Sequence, residues 1–415
     1  MDFHQIDPEA AAILDAEQAR QRDTLMMIPS ENYASPAVIA AVANVFSNKY
    51  AEGQPGARYY NGCSPSDEIE RLAIERAKTL FGAEHANVQP HSGAQMNMAV
   101  YFALLKPGDT VLALDLNQGG HLTHGSAVNF SGQLYNFVHY GVNRDSERLD
   151  LDEIAGLAER VRPRMIVTGA TAYPRLWDWA GWRRIADRVG ALLLADVSHI
   201  SGLIVGGAHP DPVPYCDVVT TTTQKTLGGP RSAVILCRKE YGQKIDKAVF
   251  PGTQGGPHVN TIFAKAIAFR EAMGEGFRAR QQQTVVNARA LAEALAGAGF
   301  RLVSGGTDNH LMLIDLRPLG MTGKAAANLL EEAGIVANKN TVPYDPKPPS
   351  VCSGLRLGTP ALTTRGMGIE EMRRVAGWIS DVLQHPDDEP RRVRIAGEVR
   401  ALCAGFPIWP SQASC

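Results

Sequence analysis

The chain lacks the paired cysteines that a disulfide scaffold or a zinc site needs. Its six cysteines, at 63, 216, 237, 352, 403 and 415, include no CxxC; such a scatter through a long chain is the habit of a reduced cytoplasmic protein. It also lacks an excess of either charge. Formal net charge is −2, which argues against a nucleic-acid footprint or an acidic tail. The short basic runs Arg183-Arg184 and Arg391-Arg392 read as solvated helix faces. No apolar run approaches the roughly 20 residues of a membrane-spanning helix. The opening MDFHQIDPEAAAILDAEQARQRD has neither a secretory signal's apolar centre nor a transit peptide's lack of acids. A soluble, cytoplasmic protein is expected, with no nucleic-acid or membrane partner. Internal repeats, low-complexity segments, a Walker A loop and a GxGxxG after a strand are missing too, which removes support for nucleotide binding.

What is present is length and apolar content: 415 residues, 45% of them hydrophobic, enough for a large core and more than one domain. Residues 6–27 read as a helical arm that Pro29 ends. From about residue 66 helices and strands alternate. A helix over 66–81 opens with a Ser/Asp cap, and another runs over 93–105. Strands fall at 110–115, 165–168, 192–195, 217–223 and 233–237, with a helix at 178–189. Continuous apolar strands alternating with helices predict an α/β fold with a mostly parallel sheet covered on both faces. A long helical segment over 258–298 leads to a smaller α+β part with a strand at 311–315. The domains expected are an N-terminal arm (1–30), a large cofactor-binding domain (31–280) and a small C-terminal domain (281–415).

In open parallel sheets ligands sit at the carboxyl ends of strands. Asp196 follows LLLA, Lys225 follows VVTTTTQ, GGHLTHG (119–125) follows VLALDL, and HSGAQ (91–95) opens a helix. Alone, Asp196 reads as a turn cap and Lys225 as a loop lysine. Together they fit pyridoxal phosphate, which needs a lysine for a Schiff base and a carboxylate to keep its ring nitrogen protonated. Ser92, Gly93 and Ala94 offer backbone N–H groups at a helix N-terminus for the phosphate, and His121 is suited to lie over the ring. With no third ligand nearby in sequence, a metal site at His121 is not expected.

These residues lie in longer runs: PSENY (29–33), NKYAEGQPGARYYNG (48–62), NVQPHSGAQ (87–95), GGHLTHG (119–125), VNFSG (128–132), TTTTQKTLGGPR (220–231), FPGTQGGP (250–257), VSGGTDNHL (303–311) and LRLGTPA (355–361). Over nearly its whole length the sequence resembles the serine hydroxymethyltransferase family. The resemblance implies fold-type I architecture, a homodimer with shared active sites, pyridoxal 5'-phosphate as cofactor and tetrahydrofolate as cosubstrate. It implies Lys225 as the Schiff-base lysine, Asp196 as the ring-nitrogen partner and His121 as the stacking histidine. His199 and Thr171 would stand on the phenolic oxygen side, and Ser92 and Gly93 would hold the phosphate beside Ala94 and Gln224. Tyr50, Gly255 and Gly256 resemble phosphate contacts from the other subunit. Arg356 and Ser30 resemble contacts to the substrate carboxylate, Glu52 and Tyr60 the groups that handle its hydroxyl and proton. Leu116, Gly120, Leu122 and Asn340 resemble the folate pocket.

The sequence departs from the family's usual pattern near these positions. Gln224 stands where His is usual, Ala94 and Thr171 where Ser is usual. Asn117 and Gln118 alter the loop before GGH. Val197, Ser198 and Ser201 alter DMAHIAG to DVSHISG, and Ser232 and Ala233 replace two glycines. Drift explains such changes, as does altered substrate choice. The leading expectation is hydroxymethyl transfer between a serine-type amino acid, serine or α-methylserine, and tetrahydrofolate, with α-methylserine handled at least comparably to serine. The alternatives are a folate-independent aldolase of α-methylserine or a 3-hydroxy amino acid and, remotely, a non-catalytic homologue.

Overall fold

The computed structural model describes residues 2–408. Its main sheet has seven strands: β1 (His85–Asn87), β2 (Thr110–Leu114), β3 (Asn136–Tyr140), β4 (Met165–Thr168), β5 (Leu192–Asp196), β6 (Val218–Thr222) and β7 (Ala233–Cys237). Their spatial order is β1-β7-β6-β5-β4-β2-β3. From β6 to β3 all neighbours are parallel, whereas β7 runs antiparallel to both β6 and β1. The expected α/β class and mostly parallel sheet are therefore observed.

Alternation along the strands feeds two apolar layers, because successive side chains point to opposite faces. Leu112 and Leu114 of β2 join a cluster with Ala73 of α2 (Ser64–Phe81), Ile154 of α4 (Leu151–Val161) and Trp182 of α5 (Trp179–Val189). Val111 and Ala113 join the opposite layer with Met96 and Tyr101 of α3 (Gly93–Leu104). A further cluster gathers Leu25, Leu291, Met312, Leu357, Ile379 and Val399. It surrounds an antiparallel sheet of β8 (Arg301–Leu302), β9 (Leu311–Asp315), β10 (Asn338–Asn340) and β11 (Gly354–Gly358), ordered β8-β9-β11-β10.

Several local expectations are corrected. The arm is broken at Asp7: Phe3–Ile6 and α1 (Pro8–Asp23) are separate helices, and the Asp7 carboxylate caps Ala10 N. Asp-Pro is an N-cap followed by a favoured first helical residue, a restart signal inside the apparent run. The chain leaves the helix at Asp23, and Leu25 and Met26 pair in parallel with Ile335 and Val336. Helix α2 begins at Ser64 with no side-chain cap; the Asp67 carboxylate instead accepts from Gly56 N and Arg58 Nε. The segment 258–298 is two helices, α6 (Val259–Ala272) and α7 (Glu275–Gly297), parted at Met273-Gly274. Arg183 is no solvated residue: it is largely buried and pairs with Asp217 and Asp187.

Among the buried ionisable side chains, one lies behind the site, and burial lowers its amine to about 7. Lys265 of α6 is wholly buried, and its amine donates to Val88 O at 2.5 Å and Ala233 O at 2.9 Å. The donors tie the strand end before HSGAQ to the start of β7. The five described cysteines are buried and unbridged; Cys415 lies outside the described residues. Among those residues no helix is long and apolar enough to cross a membrane.

Candidate active site

The carboxyl ends of β2, β4, β5 and β6 converge on a cavity of about 240 Å³. Nine expected residues line it: Ser92, Gly93, Ala94, His121, Thr171, Asp196, His199, Gln224 and Lys225. His124, Ala170, Ser198 and Thr222 line it as well and were missed.

Asp196 is the last residue of β5 and is buried. Its Oδ1 accepts from the Ser198 hydroxyl at 2.6 Å and the Ser198 N–H at 3.1 Å. Its Oδ2 accepts from Asn97 Nδ2 at 2.9 Å and lies 3.4 Å from His124 Nε2. Since His124 Nδ1 accepts the His121 N–H, the ring proton of a neutral His124 sits on Nε2 and faces the carboxylate. Burial pushes the carboxyl up, but the His124 hydrogen bond and the neighbouring His124, His121 and Lys225 hold it well below the ordinary range. The strand end is close to its neighbour because position 169 has no side chain. Gly169 has φ +108°, and a Cβ there would lie 2.0 Å from Asp196 O.

Lys225 follows β6 by three residues. Burial lowers its amine to about 8; Asp196 opposes the shift, and Arg356 and Arg231 add to it. Its loop is pinned from several sides. Asn32 Nδ2 donates to Lys225 O, Thr226 Oγ1 donates to His199 O, and Gln281 Nε2 donates to Thr226 O. His121 is held by Thr123, whose hydroxyl lies 2.8 Å from Nδ1. Burial and then His124 lower the His121 imidazole to about 4, so it is neutral at physiological pH. His199 is buried 3.4 Å from His310 and kept neutral chiefly by burial.

The cavity fits a phosphorylated, cationic ring. At one end Ser92 is the N-cap of α3, and a Cβ on Gly93 would lie 2.7 Å from Thr222 Cγ2, so only glycine leaves that cradle open. The buried Thr222 hydroxyl and the Gln224 carboxamide oxygen have no partner within the chain, and an unpaired buried polar atom is costly unless a ligand meets it. At the other end stands Asp196. The expectation of no third ligand near His121 is corrected: ligand atoms of His121, His124 and Asp196 lie within 4.8 Å of one another. Asp196 was out of view because it comes 75 residues later in the chain. All four of its near donors are already engaged with the carboxylate, which suits orientation toward a ring N–H.

Arg356 of β11 does not line the cavity but touches one of its lining residues, Thr171, from the smaller sheet. It is buried, donates from Nη1 to Thr171 O at 2.6 Å and from Nε to Asn338 Oδ1 at 3.2 Å. Burial lowers it only to about 10, so it stays cationic. The Thr171 hydroxyl is 3.0 Å from Gly120 O and 3.2 Å from Gly119 O, so it braces the loop that carries Gly120. Ser30 lines a neighbouring cavity that shares Gln224 as its wall. Leu116, Gly120, Leu122 and Asn340 are not among the lining residues, and Leu122 is exposed.

Tyr50, Glu52, Tyr60, Gly255 and Gly256 do not line the cavity. They form a group of their own. Tyr50 and Tyr60 rings meet edge-on at 5.4 Å, and Cβ atoms built on Gly255 and Gly256 would touch Glu52 at 3.4 and 3.5 Å. Tyr50 is 61% and Tyr60 46% exposed.

Comparison with known proteins adds an independent finding. Residues 3–379 match the family model described as serine hydroxymethyltransferase. The chain is 56% identical to a protein of that name from Acidobacterium capsulatum over 405 residues, covering 98% of this chain and 95% of the relative. Proteins of the same name from Crocosphaera subtropica and Rippkaea orientalis are each 56% identical over 407 residues, covering 98% of this chain and 95% and 96% of those relatives.

Proposed function

Because the chain belongs to the serine hydroxymethyltransferase family, we infer that it is a pyridoxal-phosphate-dependent hydroxymethyltransferase that interconverts serine and glycine with tetrahydrofolate as one-carbon carrier. The observation that carries this reading in the structure is that Lys225 and Asp196 line one cavity. When bound, the cofactor supplies an electron sink for the pair released from a cleaved Cα–Cβ bond. Lys225, whose amine is partly neutral near pH 8, is the attachment point. Asp196 keeps a proton on the ring nitrogen. His121 covers one face of the ring as a neutral imidazole. Ser92, Gly93, Ala94 and Gln224 receive the phosphate, and His199 and Thr171 stand on the phenolic side. Arg356 holds the substrate carboxylate with a planar fork that an ammonium does not reproduce, and Ser30 assists it. Leu116, Gly120, Leu122 and Asn340 belong to the folate side.

The same reading makes the protein a cytoplasmic homodimer of fold-type I subunits, with residues 31–280 as the cofactor domain and 281–415 as the small domain. Two separate apolar clusters support the division. The exposed group of Tyr50, Glu52, Tyr60, Gly255 and Gly256 supports the dimer. It carries the remaining phosphate contacts and the proton-handling carboxylate, and serves the cavity of a second copy. The folate-independent aldolase reading loses one of its motives: Gln118 is tied to Val142 N at 2.8 Å and belongs to the loop's structure. Turnover of L-serine and of α-methylserine, each with and without tetrahydrofolate, is the test. Serine turnover that needs no folate would overturn the transferase assignment.

A further inference from the structure

Asp196 Oδ1 takes both its hydrogen bonds from one residue, Ser198. The N–H contact comes with the turn and any residue supplies it. The hydroxyl contact depends on the side chain, and at 2.6 Å it is the shorter of the two. Ser198 Oγ also accepts the Thr222 N–H at 3.1 Å. The hydroxyl thus joins the end of β5, which carries Asp196, to the end of β6, which leads into Lys225. Ser198 is buried and lines the cavity. It occupies one of the positions where this sequence leaves the family's usual DMAHIAG for DVSHISG.

We propose that Ser198 is a positioning residue for the reaction, fixing the Asp196 carboxylate in plane and holding the β5 and β6 ends at constant separation, so that the ring-nitrogen proton and the Lys225 amine stay in register. Asn97 and His124 fix only the other oxygen, and the carboxylate can turn about its Cβ–Cγ bond if Oδ1 loses its hydroxyl donor. A charge-assisted O–H···O⁻ bond is short and strongly oriented. Its loss also leaves the Thr222 N–H without an acceptor. The proposal rests on the reading of Asp196 as the ring-nitrogen partner.

Ser198→Ala in the cofactor-loaded enzyme is expected to lower kcat for serine by about tenfold, with KM changed less than about twofold, since Ser198 bonds Asp196 and on the proposed reading touches no substrate group. The ring-nitrogen ¹⁵N resonance of bound labelled cofactor is expected to move, and Ser198→Thr, which keeps the hydroxyl, to restore both. In an Asp196→Asn background Ser198→Ala is expected to add nothing, the non-additivity of groups acting as a unit. Should the alanine variant not hold its fold, Ser198→Cys, a far weaker donor, is read in the same way. An unchanged kcat with an unmoved ¹⁵N resonance overturns the proposal for Ser198 alone. Asp196→Asn with undiminished turnover overturns the underlying reading of Asp196 instead.

Discussion

Asp196 and Glu52 are the two carboxylates to which the proposed function assigns a proton, and the fold treats them in opposite ways. Asp196 is buried at a strand end under four donor contacts from three segments. Glu52 stands beside two exposed tyrosines and a glycine-rich loop, outside its own chain's cavity. The first group needs a fixed direction, because it must hold one proton on one atom. The second region displays two exposed tyrosines, as the proposed contact with a second copy requires. On the proposed reading, half the site is preorganised within a chain and half is offered to another.

The largest test of the preorganised half is Lys225→Ala. Multiple turnover and the visible absorbance of bound cofactor are expected to disappear together. Normal turnover would remove Lys225 from the chemistry. Asp196→Asn comes next. A neutral amide keeps the shape but does not hold a ring proton, and kcat is expected to fall about 10²–10³-fold, the range for losing a preorganised electrostatic contact. Retained activity would make Asp196 a structural cap. Arg356→Lys is expected to raise the amino-acid KM roughly 30–100-fold with cofactor retained, as a bidentate contact becomes a single one.

The displayed half predicts a smaller loss that another chain repairs. Tyr50→Phe alone is expected to lower activity about tenfold, on the scale of one hydrogen bond to a charged group. Mixed with Lys225→Ala subunits it is expected to regain activity through hybrid sites. Active monomers by light scattering would break the comparison outright. The mildest effect is one of pH. Only an unprotonated amine attacks a carbonyl, so the rate at which added cofactor restores the visible band to apoenzyme should rise with pH and level off above about 8. A rise continuing toward 10.5, the ordinary lysine value, would mean a solvated Lys225.

The strands were legible because parallel strands buried on both faces are continuous apolar runs; TVLAL, MIVT and LLLAD need no tertiary information. Asp196 and Lys225 were legible because each ends such a run with a charge. Asn97, His124 and Thr222 were not, since each acts through a partner distant in sequence. Thr222 lay hidden in a run of four threonines, where only the strand's two-residue period separates those facing α3 and the cavity from the others. The breaks at Asp7 and Gly274 did carry signals, Asp-Pro and a glycine, which the longer helical pattern outweighed. The separation of Glu52 from its own cavity has no local signal, because a sequence does not say which copy a loop serves.

Lys265 gives the phosphate cradle a stability that its own segment does not explain. β1 has only three residues and pairs on one side alone, so by itself it would be among the first parts of the sheet to open in native-state hydrogen exchange. The single Lys265 amine on α6 closes over Val88 O and Ala233 O. Opening of residues 88–93 therefore requires either moving a helix or leaving a buried amine without its acceptors. The backbone of residues 88–93 is thereby expected to exchange as slowly as the sheet's centre, although it belongs to the sheet's edge.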